Sequence, residues 1–139
     1  MGRLLAIDHG ERRIGLAISD PNKIISKPLK TLLMSDINIL YNKLLEIVVE
    51  YDIEKLIIGL PVGMDGKETK QTKKVVDFKV ALQKKIDIPI IMFDERLSSI
   101  SAKKSLISQG VKTGHNKSKI DQTAAAIFLQ HYIDTLNFK

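Results

Sequence analysis

The sequence predicts an α/β fold in which a five-stranded mixed sheet, antiparallel over strands 1–3 and parallel over strands 4–5, is flanked by helices. Three observations predict it. Two apolar runs at the start of the chain are separated by a turn only, which is the pattern of a hairpin. A third run carries an internal proline, which suits an edge strand because proline cannot donate to a ladder. Beyond it, stretches of helical periodicity alternate with short, unbroken apolar runs, the pattern of crossover units feeding parallel strands.

The elements follow in order. Residues 3–8 and 13–19 form the hairpin around His9, Gly10, Glu11 and Arg12, and the proline run spans Ile24 to Leu32 with Pro28 inside it. Ile37, Leu40, Tyr41, Leu44, Leu45, Val48 and Tyr51 recur by threes and fours after the capping candidates Ser35 and Asp36, which predicts an amphipathic helix. Leu56 to Leu60 reads as a buried strand, and a loop around Pro61, Gly63 and Gly66 leads to a second helix over 69–86. Pro89 to Phe93 reads as the last strand, ending in Asp94-Glu95-Arg96. Helices near 98–109 and 118–134, joined by a polar linker from Gly110 to Lys117, close the chain.

The 139 residues suit one domain, 1–139, with 44% hydrophobic and 27% charged residues as in a globular protein. No stretch reaches the roughly 20 apolar residues that span a bilayer, and the start of the chain reads as a strand rather than a signal peptide, so a cytoplasmic protein with no membrane partner is expected. The absence of cysteine excludes disulfides, thiolate metal sites and thiol nucleophiles, leaving oxygen and imidazole groups for any chemistry. The net charge of +6 is accounted for by six basic residues between 96 and 120, where no acid occurs. That segment reads equally as a solvated face or as a polyanion-binding one.

Acids in three places stand out. Asp8 closes the first strand before a glycine-containing turn, at the carboxyl end where α/β sheets gather their sites. Asp94 and Glu95 end the last strand, where alternation sends successive side chains to opposite faces. Glu95 has the longer reach and is the choice, with Asp94 or Arg96 orienting it. Asp121 shares a helical stripe with Ala125, Phe128 and Tyr132, and a carboxylate on a core-facing stripe needs a cation or a hydrogen-bonding partner. Ser118, three residues earlier, offers a second reading as a variant capping box. The alanines at 124, 125 and 126 let this helix approach the sheet closely. Three carboxylates at one rim suit two hard cations, Mg²⁺ or Mn²⁺, about 4 Å apart on a phosphodiester. His9, His115 and His131 have no ligand-like spacing, although His9 beside Asp8 offers a proton-transfer group.

These residues carry a resemblance. Ala6-Ile7-Asp8-His9-Gly10 through Arg13-Ile14-Gly15-Leu16-Ala17 resembles the opening motif of the YqgF (RuvX) family of ribonuclease H-like nucleases. Gly59-Leu60-Pro61 with Met64-Asp65-Gly66, then Asp94-Glu95-Arg96-Leu97, then Lys119-Ile120-Asp121-Gln122 with Ala124-Ala125, look like its remaining motifs, in order and across essentially the whole chain. Ser98-Ser99 departs mildly, standing where the family more often has threonine. The resemblance implies a ribonuclease H-like domain and metal-dependent endonucleolytic hydrolysis, with Asp8, Glu95 and Asp121 as catalytic metal ligands. The family is described as Holliday-junction resolvases or as nucleases maturing the 5′ end of pre-16S rRNA, the second role being the better supported. Arg13, Arg96, Lys117 and Lys119 are then expected to contact phosphates of structured RNA or branched DNA, with the protein a monomer or a homodimer. Two other classes fit the same pattern: a nucleotide-binding module of the actin and sugar-kinase superfamily, for which one lobe is too few, and a catalytically silent RNA-binding domain. With 5% aromatics and no Trp, recognition of backbone and shape is favoured over base stacking.

Overall fold

The computed structural model describes residues 2–60, 69–94 and 117–137, the last stretch with its side chains from 123 to 136. Five strands form one sheet in the order β3-β2-β1-β4-β5. They are β1 (Arg3–His9), β2 (Arg13–Ser19), β3 (Ser26–Leu33), β4 (Ile53–Leu60) and β5 (Ile90–Asp94). Pairing is antiparallel for β1–β2 and β2–β3 and parallel for β1–β4 and β4–β5, as the pattern predicts. Three helices are described: α1 (Ile37–Glu50), α2 (Lys70–Gln83) and α3 (Lys117–Asn137). The expected helix over 98–109, the linker after it, and the loop around Pro61, Gly63 and Gly66 lie outside the described residues.

Local chemistry explains the boundaries. The hairpin turns where Gly10 donates its N–H to the Arg13 carbonyl at 2.9 Å. A Cβ at Gly10 would stand 2.7 Å from that oxygen, so the turn requires glycine. At the sheet's edge, the β2–β3 register slips between Leu16 and Ala17, opposite Lys30 and Pro28, and the extra residue bulges beside the proline that cannot donate. Asp36 caps α1, accepting from the N–H groups of Asn38 and Ile39. Asp52, at φ 53, turns the chain out of α1 in the left-handed region. That sharp turn starts β4 at Ile53, earlier than the apolar run from Leu56 suggests, because the charged pair Glu54 and Lys55 belongs to the strand. Thr69 and Thr72 form a reciprocal capping box for α2. This helix stops at Gln83 rather than 86, where the Gln83 amide donates to the carbonyls of Ile86 and Ile88 and closes the connection to β5.

Strand alternation divides the core into two halves. Leu5, Ile7, Ile14, Leu16, Leu56, Ile58 and Ile90 face α1 and α2, meeting Leu40, Leu44, Val75, Phe78 and Leu82. Leu4, Ala6, Ala17 and Ile57 face α3, meeting Ala125, Phe128, Leu129 and Ile133. Small residues stand on both sides of this second contact, Ala6 and Ala17 below Ala125 and Ala126, so the helix lies close to the sheet. Ser26 ties it there, donating from its hydroxyl to the Ala126 carbonyl and from its N–H to Gln130 Oε1.

Candidate active site

Asp8 is half-buried near the carboxyl end of β1. Ile7, the residue before it, belongs to the α1–α2 half of the core and Ala6 to the α3 half, so alternation sends the Asp8 side chain to the α3 side. Across the antiparallel ladder its partner is Gly15. On the other flank Ile7 pairs with Ile58, and one step further along both strands Asp8 comes level with Gly59. The carboxylate is thus flanked on its own face of the sheet by two residues without side chains. The row continues to Thr31 beyond Gly15 and to Phe93 beyond Gly59. In a strand interior glycine weakens the ladder, and it is favoured where another backbone or a ligand must come close.

The same alternation separates Asp94 from Asp8. Met92 joins the α1–α2 half of the core and Phe93 the α3 half, which places Asp94 on the α1–α2 side, paired with Leu60 at the end of β4. Asp94 is therefore turned away from the face Asp8 occupies. Glu95 and Arg96 lie outside the described residues.

The C-terminal half of α3 is anchored at the start of the sheet. Tyr132 lies over the start of the sheet, where the Lys55 ammonium reaches its hydroxyl at 3.4 Å, and Lys55 pairs with Leu4. Ser26, level with Leu4 through its partner Ser19, holds Ala126 and Gln130, so this stretch of α3 crosses the strands. Asp121 lies in the first part of this helix, five residues before Ala126, with its side chain outside the described residues. Lys117 and Lys119 stand in its first turn. Ser118 falls within the helix, with its side chain outside the described residues.

Arg13 opens β2, opposite Leu33, and shares the parity of Gly15, so it too lies on the Asp8 side, nearer the rim. His9 does not. Its ring lies on the α1–α2 side, 4.9 Å from the Phe78 ring, and burial pushes its pKa below the usual value. The expectation that His9 assists proton transfer at Asp8 is therefore corrected: the sheet stands between the two side chains. Gln71, which the sequence did not single out, donates from its amide nitrogen to the His9 carbonyl at 3.3 Å and holds the end of β1 from behind.

A hard cation fits what is present. The donor at this face is a carboxylate, and the imidazole next to it in the chain points elsewhere. Among the described residues no helix is long and apolar enough to cross a membrane.

Comparison with known proteins extends the picture. Residues 2–135 match the family model described as RuvX, Holliday junction resolvase. A protein of Maridesulfovibrio salexigens is 37% identical over 131 residues, covering 94% of this chain and 97% of its own length. One of Desulforamulus reducens is 38% identical over 133 residues, covering 96% and 97%. Both bear the name "Putative pre-16S rRNA nuclease". Among solved structures, T. thermophilus RuvC in complex with a Holliday junction substrate matches with a TM-score of 0.61 at 11% identity, over 99% of this chain and 97% of that one. The fowlpox virus resolvase in complex with junction DNA matches at 0.56 and 15%, over 99% of both chains. At such identities these structures establish the fold, which is ribonuclease H-like.

Proposed function

The chain belongs to the RuvX family of Holliday junction resolvases, and from that premise we propose that it is a metal-dependent endonuclease whose cutting centre is built on Asp8, Glu95 and Asp121. It is a nuclease by family and a phosphodiester hydrolase by reaction class. The observation that carries the reading of the site is the row Gly15, Asp8, Gly59: a half-buried carboxylate at a strand end, cleared on both sides, on the face covered by α3. A carboxylate meant only for a turn has no need of glycines beside it in two neighbouring strands.

Asp8 anchors the centre because its strand is central and rigid. Asp94 is on the other face, and the proposal takes the next residue in the sequence, Glu95, as the ligand. Since β4 intervenes, a ligand offered from the end of β5 must close about 10 Å to β1. That distance favours the longer glutamate. Asp121, from the first part of α3, completes the set from above the sheet. Bound Mg²⁺ or Mn²⁺ would activate water and neutralise charge on the departing oxygen. Arg13, from the rim of the same face, and Arg96, Lys117 and Lys119 hold the flanking phosphates, a salt-dependent share of binding that carries no base identity.

Structured RNA, the precursor of small-subunit rRNA first, is the proposed substrate, because relatives that align over nearly their whole length carry that name. Branched DNA is the second. The test is cleavage of labelled precursor RNA and junction DNA with either metal, beside Asp8→Asn. The variant should bind and fold but not cut. Undiminished cutting by Asp8→Asn overturns the site. Charge reversal at Lys117 and Lys119 that abolishes binding, with every acid variant silent in the assay, would instead establish a binding domain.

A further inference from the structure

Behind the cutting face, at the same end of β1, lies a cleft of about 350 Å³. Its apolar walls are Met34, Ile37, Tyr41 and Phe78, and Glu11, Lys74 and Asp77 stand at its mouth. His9 lines it and is only 9% exposed. The protonation of this ring follows from Gln71. A backbone carbonyl only accepts, so the end of the Gln71 side chain that faces the His9 oxygen must be its NH₂ group. The same nitrogen lies 3.3 Å from His9 Nδ1, which must therefore accept as well. The ring proton is then on Nε2, and among the described residues this donor has no acceptor. In the wall of an open cleft, such a donor is available to a ligand.

The surroundings narrow what supplies the acceptor. Phe78 contacts both the His9 and the Tyr41 rings, so aromatic groups gather here in a chain with 5% aromatics and no Trp. Apolar walls suit a flat ring, the His9 N–H asks it for an acceptor, and Asp77, beside the Glu11–Lys74 pair, asks for a donor. An adenine or a cytosine offers a ring acceptor beside an exocyclic amine, whereas uracil lacks the amine. Asp8 and His9 are consecutive, so a strand held at Asp8 need only pass over the rim of the sheet to reach the cleft.

We infer that this cleft takes one unpaired, amine-bearing nucleobase of the strand cut at Asp8, from a nucleotide neighbouring the cut. The inference rests on the nuclease reading above and adds base selection to it. The backbone contacts of the cutting face select no base, and the cleft does.

The Asp8→Asn protein is expected to bind without cutting, so methyl and amide NMR can follow a short single-stranded RNA on it. Shifts at His9, Met34 and Ile37 are expected, and they should vanish when an abasic residue occupies one particular position. In the wild type, the abasic substrate should be cut about tenfold less efficiently, through KM. Ile37→Trp, at a part-exposed position at the start of α1, plugs the cleft without opening the core. It should reduce cutting of the intact substrate to the abasic level and leave the abasic substrate unaffected. Silence at the cleft residues with every oligonucleotide overturns the inference, as does indifference of cutting to abasic residues at all positions. Shifts caused by free AMP but by no oligonucleotide also overturn it, in favour of a separate nucleotide site. A wild-type protein that cuts nothing defeats the nuclease reading alone, because the binding measurement on Asp8→Asn still decides the cleft.

Discussion

Asp8 stands directly across the β1–β2 ladder from Gly15, and the two share the face of the sheet that α3 covers. The pairing makes a catalytic reading of Asp8 specific enough to test by addition rather than removal. Gly15→Val introduces a β-branched side chain beside the carboxylate. Gly15 is buried under α3, so the added group should cost about 1–3 kcal/mol by overpacking. Cutting by the folded protein should also fall by about a hundredfold, since displacement of reacting groups by about 1 Å costs that much. Melting temperature and single-turnover rate, measured on the same preparation, check it. A variant that is fully folded at the assay temperature and equally active removes the cleared row from the argument.

The separation of Asp94 from Asp8 gives a second expectation. Asp94 points to the α1–α2 side, so Asp94→Asn should retain activity within a few-fold, whereas Glu95→Gln should lose about a thousandfold, as removal of a transition-state contact does. Metal titration of the rate distinguishes loss of a ligand from loss of fold. If the aspartate variant is the dead one, the face assignment of the strand end is wrong.

Much of this architecture was legible from the chain and some was not, for physical reasons. Periodicity and punctuation revealed the hairpin, the edge strand at Pro28 and the Asp36 cap, because each is a local event. The first residues of β4 were hidden by Glu54 and Lys55: the strand's start is only half-buried, so the apolar run begins later than the strand does. The end of α2 was overestimated because Ile86 is buried at helical spacing from Leu82 while lying beyond the helix. In the site, Asp8 declared itself by position. Its flanking glycines and the face of His9 did not, since both depend on which residues of distant strands lie side by side, and no local pattern encodes that register. Gly59 left one trace, as the interruption in an otherwise apolar run.

Burial of His9 predicts a pH dependence. Its pKa is lowered in the fold, chiefly by desolvation. The unfolded chain therefore takes up the proton first, near pH 6.5. The neutral ring contributes its full stability above that pH. As the pH falls through 6.5 towards the lower folded value, the unfolded state binds more protons and stability is lost. Urea midpoints measured in a chelator between pH 7.5 and pH 5 should fall, and His9→Phe, which keeps a ring against Phe78, should flatten the slope. An unchanged slope in His9→Phe assigns the acid sensitivity to other groups.

The last expectation concerns the helix that carries Asp121. Ala125 is fully buried against the small residues Ala6 and Ala17, so α3 sits on the sheet with no room for a larger group. Ala125→Leu overfills this contact and should cost about 1–3 kcal/mol. If the contact did no more than hold the protein together, activity would follow stability, and at temperatures where the variant is fully folded it would be normal. The proposed centre demands more. Asp121 stands one turn before Ala125, and a shift of the helix by the width of a methyl group withdraws it from Asp8. Cutting by fully folded Ala125→Leu should therefore drop by about a hundredfold and require higher metal concentration. Phe128→Ala provides the contrast: Phe128 is fully buried two turns after Asp121, and its truncation should cost about 3–5 kcal/mol while lifting nothing from the sheet. If the two variants lose activity only in proportion to the protein unfolded, the position of α3 does not set the geometry of the metal ligands.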